Sequence, residues 1–158
     1  MTTPESRVYA DTCRRLIGVE MSATETYTEA LDYFHCDPEQ SLLIAIRAGH
    51  DENVDCLGDH LLALGKEMRP DPEVGNFFSK AVEGVSSTFG ETATLLALEA
   101  GETGALKECR AVLADPQAPD SLKEDLRHRL IPRLQRHVEE LEKLRSAQAA
   151  EFLMAQGA

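Results

Sequence analysis

The stretch "GHDENVDCLGDHLLALG", residues 49–65, carries His50, Asp51, Glu52, Asn53, Asp55, Cys56, Asp59 and His60 within seventeen positions. Imidazole, carboxylate and thiolate are the donors that hold Zn, Fe or Mn, and imidazole and carboxylate also move protons. Elsewhere in the chain Glu20, Glu102 and His137 interrupt otherwise apolar patterns. Which of these side chains can act together depends on which of them point inward, and that is set by the elements carrying them.

Proline and glycine clusters divide the chain into helix-sized pieces. A first helix is expected over about 4–35, stopping at "HCDPEQS", because Pro38 disfavours helix in the residue before it. A second is expected over about 39–69, ending before "RPDPE". A crossover segment over about 73–89 has Val74, Phe77, Phe78, Ala81, Val82, Val85 and Phe89 at helical spacing. The third long helix is expected over about 91–114. The fourth, over about 120–150, is capped by Asp120 or Ser121 and kinked at Pro132. No run alternates with the period of two that a half-buried strand needs. Short first and third connections with a long middle one predict an all-α, antiparallel four-helix bundle in a single domain, residues 1–158, with a partly helical crossover between the second and third helices.

Apolar residues three and four apart mark the buried seam of each helix. The first seam reads Cys13, Leu16, Glu20, Ala23, Tyr27, Ala30, Phe34. The second reads Leu43, Arg47, His50, Val54, Leu57, Leu61, Leu64, Met68. The third is Leu95, Leu98, Glu102, Ala105, Cys109, Val112, and the fourth is Leu130, Leu134, His137, Leu141, Leu144. Glu20, His50, Glu102 and His137 thus each occupy a position that asks for an apolar residue, with Arg47 beside His50 and Asn53 on its flank. Asp51, Glu52, Asp55, Asp59 and Cys56 fall toward the outer face. His60, His35 and His128 read as flank or surface residues. Tyr27 reads as a seam tyrosine and Cys109 as a small buried hydrophobe. The two halves echo each other: Glu20, Ala23 and Tyr27 in "EMSATETY" match Glu102, Ala105 and Cys109 in "ETGALKEC", and each acid is followed by an inward histidine.

Composition narrows the function further. A formal charge of −12 over 158 residues speaks against nucleic acid and anionic membrane surfaces as partners. No apolar leader or membrane-length run is present, so a soluble cytoplasmic protein is expected. The four cysteines, Cys13, Cys36, Cys56 and Cys109, form no CxxC pair and are expected as free thiols. There is no P-loop pattern and little support for a nucleophilic Ser/His/Asp or Cys/His enzyme; no small-molecule substrate is identifiable.

With helix layout, the paired E-x-x-A-x-x-x-(Y/C) segments and "ALEAGETGAL" on the page, the chain resembles the ferritin-like superfamily over about residues 7–145. Within it, the likeness is to small bacterial ferritin-like proteins of unassigned function, distantly similar to rubrerythrin. The resemblance implies single acids at Glu20 and Glu102 and two Glu-x-x-His positions, occupied here by His50-x-x-Asn53 and Leu134-x-x-His137. Both acids that would bridge two metals are therefore missing, and a di-iron oxidase or iron-mineralising ferritin is not expected. Two readings remain. In one, the chain is a degenerate ferritin-like scaffold with no cofactor, whose buried polar layer fixes the helix register. It would act as a structural or interaction module, as a homodimer or with a protein partner, and the resemblance suggests stress-related roles. Its candidate surfaces are the crossover around Phe77, Phe78 and Val85 and the C-terminal "EFLMA". In the other, Glu20, His50, Glu102 and His137 hold one Fe, Mn or Zn ion for an oxidoreductase or metal-storage role. Neither reading identifies a catalytic residue.

Overall fold

The computed structural model describes residues 3–74, 78 and 90–157, and among these there are helices and turns but no strand. Four long helical rods account for the fold. The first, α1 (Pro4–Ala30), begins where Thr3 accepts the Ser6 N–H, with Pro4 at the position where a missing donor costs nothing. It closes in a 3₁₀ turn, Leu31–Tyr33, rather than running on to residue 35. The second, α2 (Glu39–Ala63), stops well short of residue 69. Gly65 adopts φ +69°, and the Lys66 N–H reaches back to the Leu61 carbonyl while the Gly65 N–H takes that of Leu62. That is the glycine-dependent helix stop in which the last free carbonyls are satisfied from beyond the end. Met68, expected on the seam, is half exposed and folds back over Gly58.

The third rod is α3 (Gly90–Ala114). The fourth consists of α4 (Asp120–Asp125), a π turn (Leu126–Leu130) and α5 (Ile131–Gln156) without a break. The irregularity expected at Pro132 thus falls one turn earlier. Pro132 is the second residue of α5, directly after the π turn, so the wider turn immediately precedes the residue that cannot donate. Most of the crossover expected over 73–89, including Phe77 and Val85, lies outside the described residues. Of its neighbours, Pro72–Val74 forms a 3₁₀ turn, held by the Asp71 N–H on the Arg14 carbonyl and passing over Gly18 of α1.

The rods pack chiefly as α1 on α2 and α3 on α5, with α1 also against α3 and α2 against α5. The core runs along the middle: Leu16, Ile17, Tyr27, Leu43, Leu57, Leu61, Leu95, Leu98, Leu134 and Leu141 are all fully or almost fully buried. Every seam residue expected for α1, α3 and the fourth rod is buried, together with Phe34. On α2 the expected Leu43, His50, Leu57 and Leu61 are buried, but they are joined by Ile46, Asn53 and Cys56, while Arg47 and Val54 are only partly covered. Arg47 donates to the Thr28 hydroxyl near the surface and does not reach the buried acids. No helix among the described residues is long and apolar enough to cross a membrane.

Phe78 shows how tightly the centre is closed. Placed by the sequence in a candidate interaction surface, it is fully buried, with its N–H donating to Ser22 Oγ at 2.8 Å. Its ring lies against Gly101, where an added Cβ would come within 2.5 Å of a ring carbon. Gly101→Ala is therefore expected to destabilise the protein by about 1–3 kcal/mol through overpacking. Urea denaturation measures this, with the midpoint shifting and the slope unchanged.

Candidate metal centre

Glu20 and Glu102 are carried inward by α1 and α3, and His50, Asn53 and His137 by α2 and α5, into one layer. Glu20, His50, Asn53 and Glu102 are 0–1 % exposed and His137 is 7 % exposed. An unpaired carboxylate at such a depth would cost several kcal/mol, so the arrangement of the layer is dictated by the need for partners.

His50 is the hub. Its Nδ1 lies 2.6 Å from Glu20 Oε2 and its Nε2 lies 2.8 Å from Glu102 Oε1. Without an ion, a doubly protonated ring donates to both carboxylates. Asn53 Nδ2 donates to Glu20 Oε2 at 3.1 Å, and Arg133, itself paired with Glu52 at 2.7 Å, donates to Asn53 Oδ1. Tyr27 donates its hydroxyl to Glu102 Oε1 at 2.6 Å, and His137 Nδ1 stands 3.4 Å from Glu102 Oε2. The rings close the layer from above and beside: Tyr27, Phe78 and His137 all lie with centroids 4.9–5.5 Å from that of His50 or, for Tyr27 with Phe78, at 6.3 Å. Gly49 lets α2 approach α5 here, since a Cβ at that position would sit 2.7 Å from His137 Nε2.

Burial alone would push His50 down, but the Glu102 and Glu20 carboxylates outweigh it and raise its pKa to about 10. Burial alone would raise Glu102; the His50 charge and the His137 hydrogen bond reverse this and lower it to about 2. Tyr27 is driven well above its usual range, by burial first and then by the Glu102 carboxylate, so it remains a donor.

The geometry sorts the four expected ligands into three and one. Donor atoms of His50, Glu102 and His137 lie within 4.8 Å of one another. Glu20 stands on the opposite edge of the His50 ring, against Nδ1, and does not join that group. Asn53, expected on the flank, is fully buried and serves Glu20. Among the described residues a second group of donors, Cys56, His60 and Asp125, comes together away from this layer. Cys56 is therefore buried rather than outward, and His60 is partly covered, whereas His35 and His128 are exposed as expected. Sequence reading missed Phe78 and Arg133 as members of the central site. Phe78 was read as one of several apolar residues at helical spacing in the crossover, and Arg133 stands one turn before His137 among other charged residues, so no periodic signal tied either to the central layer.

Compared with family models, with curated proteins and with solved structures, the chain matches none.

The paired charges make stability depend on pH. His50 has a raised folded pKa, so its contribution is fully present below 6.5 and is lost as pH rises through about 10. Glu102 has a lowered folded pKa, so its contribution is fully present above 4.5 and is lost as pH falls through about 2. Chelator-treated protein is expected to be most stable between about pH 4.5 and 6.5, losing roughly 1 kcal/mol per pH unit as the solution becomes more alkaline. Urea denaturation at a series of pH values reads the slope; no decline between about pH 7 and 9 would show that His50 is not held between two charges.

Proposed function

We propose that this chain is a ferritin-like, antiparallel four-helix bundle that binds one divalent metal ion through His50, Glu102 and His137. The observation carrying this reading is the convergence of two imidazoles and one carboxylate at a buried point, with the ring of His50 held from behind by Glu20. A histidine ligand whose second nitrogen donates to a carboxylate is the usual way proteins fix the tautomer and orientation of a metal-binding imidazole. Glu20 is then the positioning residue, not a ligand, and Asn53 with Arg133 holds Glu20 in place.

Charge supports one ion rather than two. Two carboxylates, Glu20 and Glu102, balance a single divalent ion once His50 gives up its Nε2 proton to solvent and keeps the Nδ1 proton on Glu20. A second ion would leave two positive charges uncompensated in a dry interior. Two histidines and one carboxylate with open positions suit Fe(II), and also accommodate Mn(II) or Zn(II). Bound there, such an ion supplies Lewis acidity and, for iron, one-electron chemistry. Tyr27, one hydrogen bond from the ligand carboxylate, is placed to hold a proton beside it.

A second reading has a specific observation in its favour: every polar group of the layer already has a protein partner. The layer would then set helix register by hydrogen bonds alone, and the chain would serve as a structural or interaction module.

Metal analysis after loading chelator-treated protein with Fe(II), Mn(II) or Zn(II) separates the two. Wild type is expected to bind about one ion per chain more than Glu102→Gln does. Glu20→Gln is expected to retain the site with about 10–100-fold weaker affinity. Binding unaffected by Glu102→Gln, or no binding at all, would leave the hydrogen-bonded layer as the role of these residues.

A further inference from the structure

Eleven residues of α2 carry both His50 and a second set of donors. Cys56 and His60 are spaced four apart and so share one face of the helix. Asp125, the last residue of α4, meets them immediately before the π turn, a type of irregularity that is frequent at functional sites. His60 Nε2 lies 2.6 Å from Asp125 Oδ2, and Cys56 Sγ, the His60 ring and the Asp125 carboxylate bring one donor each to within 4.8 Å of the others. Tyr9 of α1 contacts His60 Nδ1 through its hydroxyl, which also lies 3.3 Å from Ser121 Oγ. His60 is thus oriented from behind by Tyr9 as His50 is by Glu20.

We propose that Cys56, His60 and Asp125 form a second metal site, for Zn(II), with Tyr9 as the residue that orients His60. Thiolate, imidazole and carboxylate together are a borderline-soft set that suits zinc in tetrahedral geometry, the fourth position being left for water. The thiol and carboxylate, both ionised, neutralise one divalent ion, while His60 binds as the neutral ring through Nε2 with its Nδ1 proton on Tyr9. Loading releases the Cys56 thiol proton to solvent; no bond other than S–H breaks and no oxidant is needed. Cys56 is 8 % exposed and Asp125 about a third exposed, so the set is reachable. An adjoining cleft of about 270 Å³, bordered by Asp55, Asp59 and Arg129, leads to Cys56. Arg129 lies 3.6 Å from Asp125 Oδ1, which leaves the other carboxylate oxygen to face His60. An ion there would fasten the C-terminal part of α2 to the start of the fourth rod. It would do so independently of the central layer, with which it shares no ligand.

Co(II) titration of chelator-treated full-length protein tests this, because thiolate bound to Co(II) gives a near-ultraviolet charge-transfer band that the central site, lacking a cysteine, cannot produce. In Glu102→Gln, where the central site is lost, the band is expected to saturate at one equivalent; in every background it should disappear when Zn(II) is added and survive Cys36→Ser. It should be absent in Cys56→Ser. Asp125→Asn, an isosteric change at a partly exposed position, should weaken Co(II) binding at least 10-fold, and Tyr9→Phe should weaken it about 10-fold. No charge-transfer band in wild type, or a band that persists in Cys56→Ser with Asp125→Asn unaffected, would overturn the site. Loss of Glu102-dependent metal with the band intact would instead remove the central-site reading alone.

Discussion

Two carboxylates and an imidazole are removed from water in the same layer, and the packing around them is organised by the need to keep those charges together. Glu20 and Glu102 come from rods at different points in the chain, yet both lean on the single ring of His50. Separating α1 from α3 at this level would strand at least one charge in an apolar interior, a far larger penalty than losing a pair of methyl contacts. The layer therefore specifies register among the rods in a way that the leucine seams above and below it cannot, since leucine tolerates a slip by one turn and a buried ion pair does not. Further out, Arg145 makes a two-pronged contact with Glu99 at 2.6 and 3.2 Å that ties α3 to α5 at the edge of the core.

Room left by three glycines lets side chains and a connecting segment pack directly against the helix backbones. Gly49, Gly101 and Gly18 lie where α2 nears α5, where Phe78 covers α3, and where the 69–74 connection crosses α1. In each place a side chain or segment occupies the volume a Cβ would need. The small residues and the polar layer are thus one arrangement: the glycines set the spacing, and the spacing sets the hydrogen-bond distances.

Much of this was legible in the residues themselves. The three-and-four spacing of α1, α3 and the fourth rod placed their buried faces correctly, because nearly every position there is either plainly apolar or an isolated acid or histidine. Glu20, His50, Glu102 and His137 stood out for the same reason. On α2 the same rule pointed to Arg47 and Val54 and away from Ile46, Asn53 and Cys56, since hydropathy ranks valine above asparagine at an inward position. It fails where asparagine is wanted for its hydrogen bonds, as it is at Glu20. Cys56 and His60 were lost among the surface acids Asp55 and Asp59, since nothing in local spacing announces that Asp125, far along the chain, comes to meet them. The division of four inward residues into three convergent donors and one support depends on which edge of an imidazole faces which carboxylate, and no linear pattern encodes that.

The π turn at Leu126–Leu130 has a further consequence. Leu122, Leu126, Leu130 and Leu134 are all buried at steps of four, and a regular helix turning every 3.6 residues would carry such a series progressively around its axis. The wider turn absorbs the surplus, so the rod keeps a straight apolar keel from Leu122 to Leu144. It acts as a phase joint. The part before it, ending in Asp125, and the part after it, bearing Arg133 and His137, present their polar residues at angles that can be set separately. One rod can thereby serve two neighbouring clusters on α2 without the azimuth of either dictating the other.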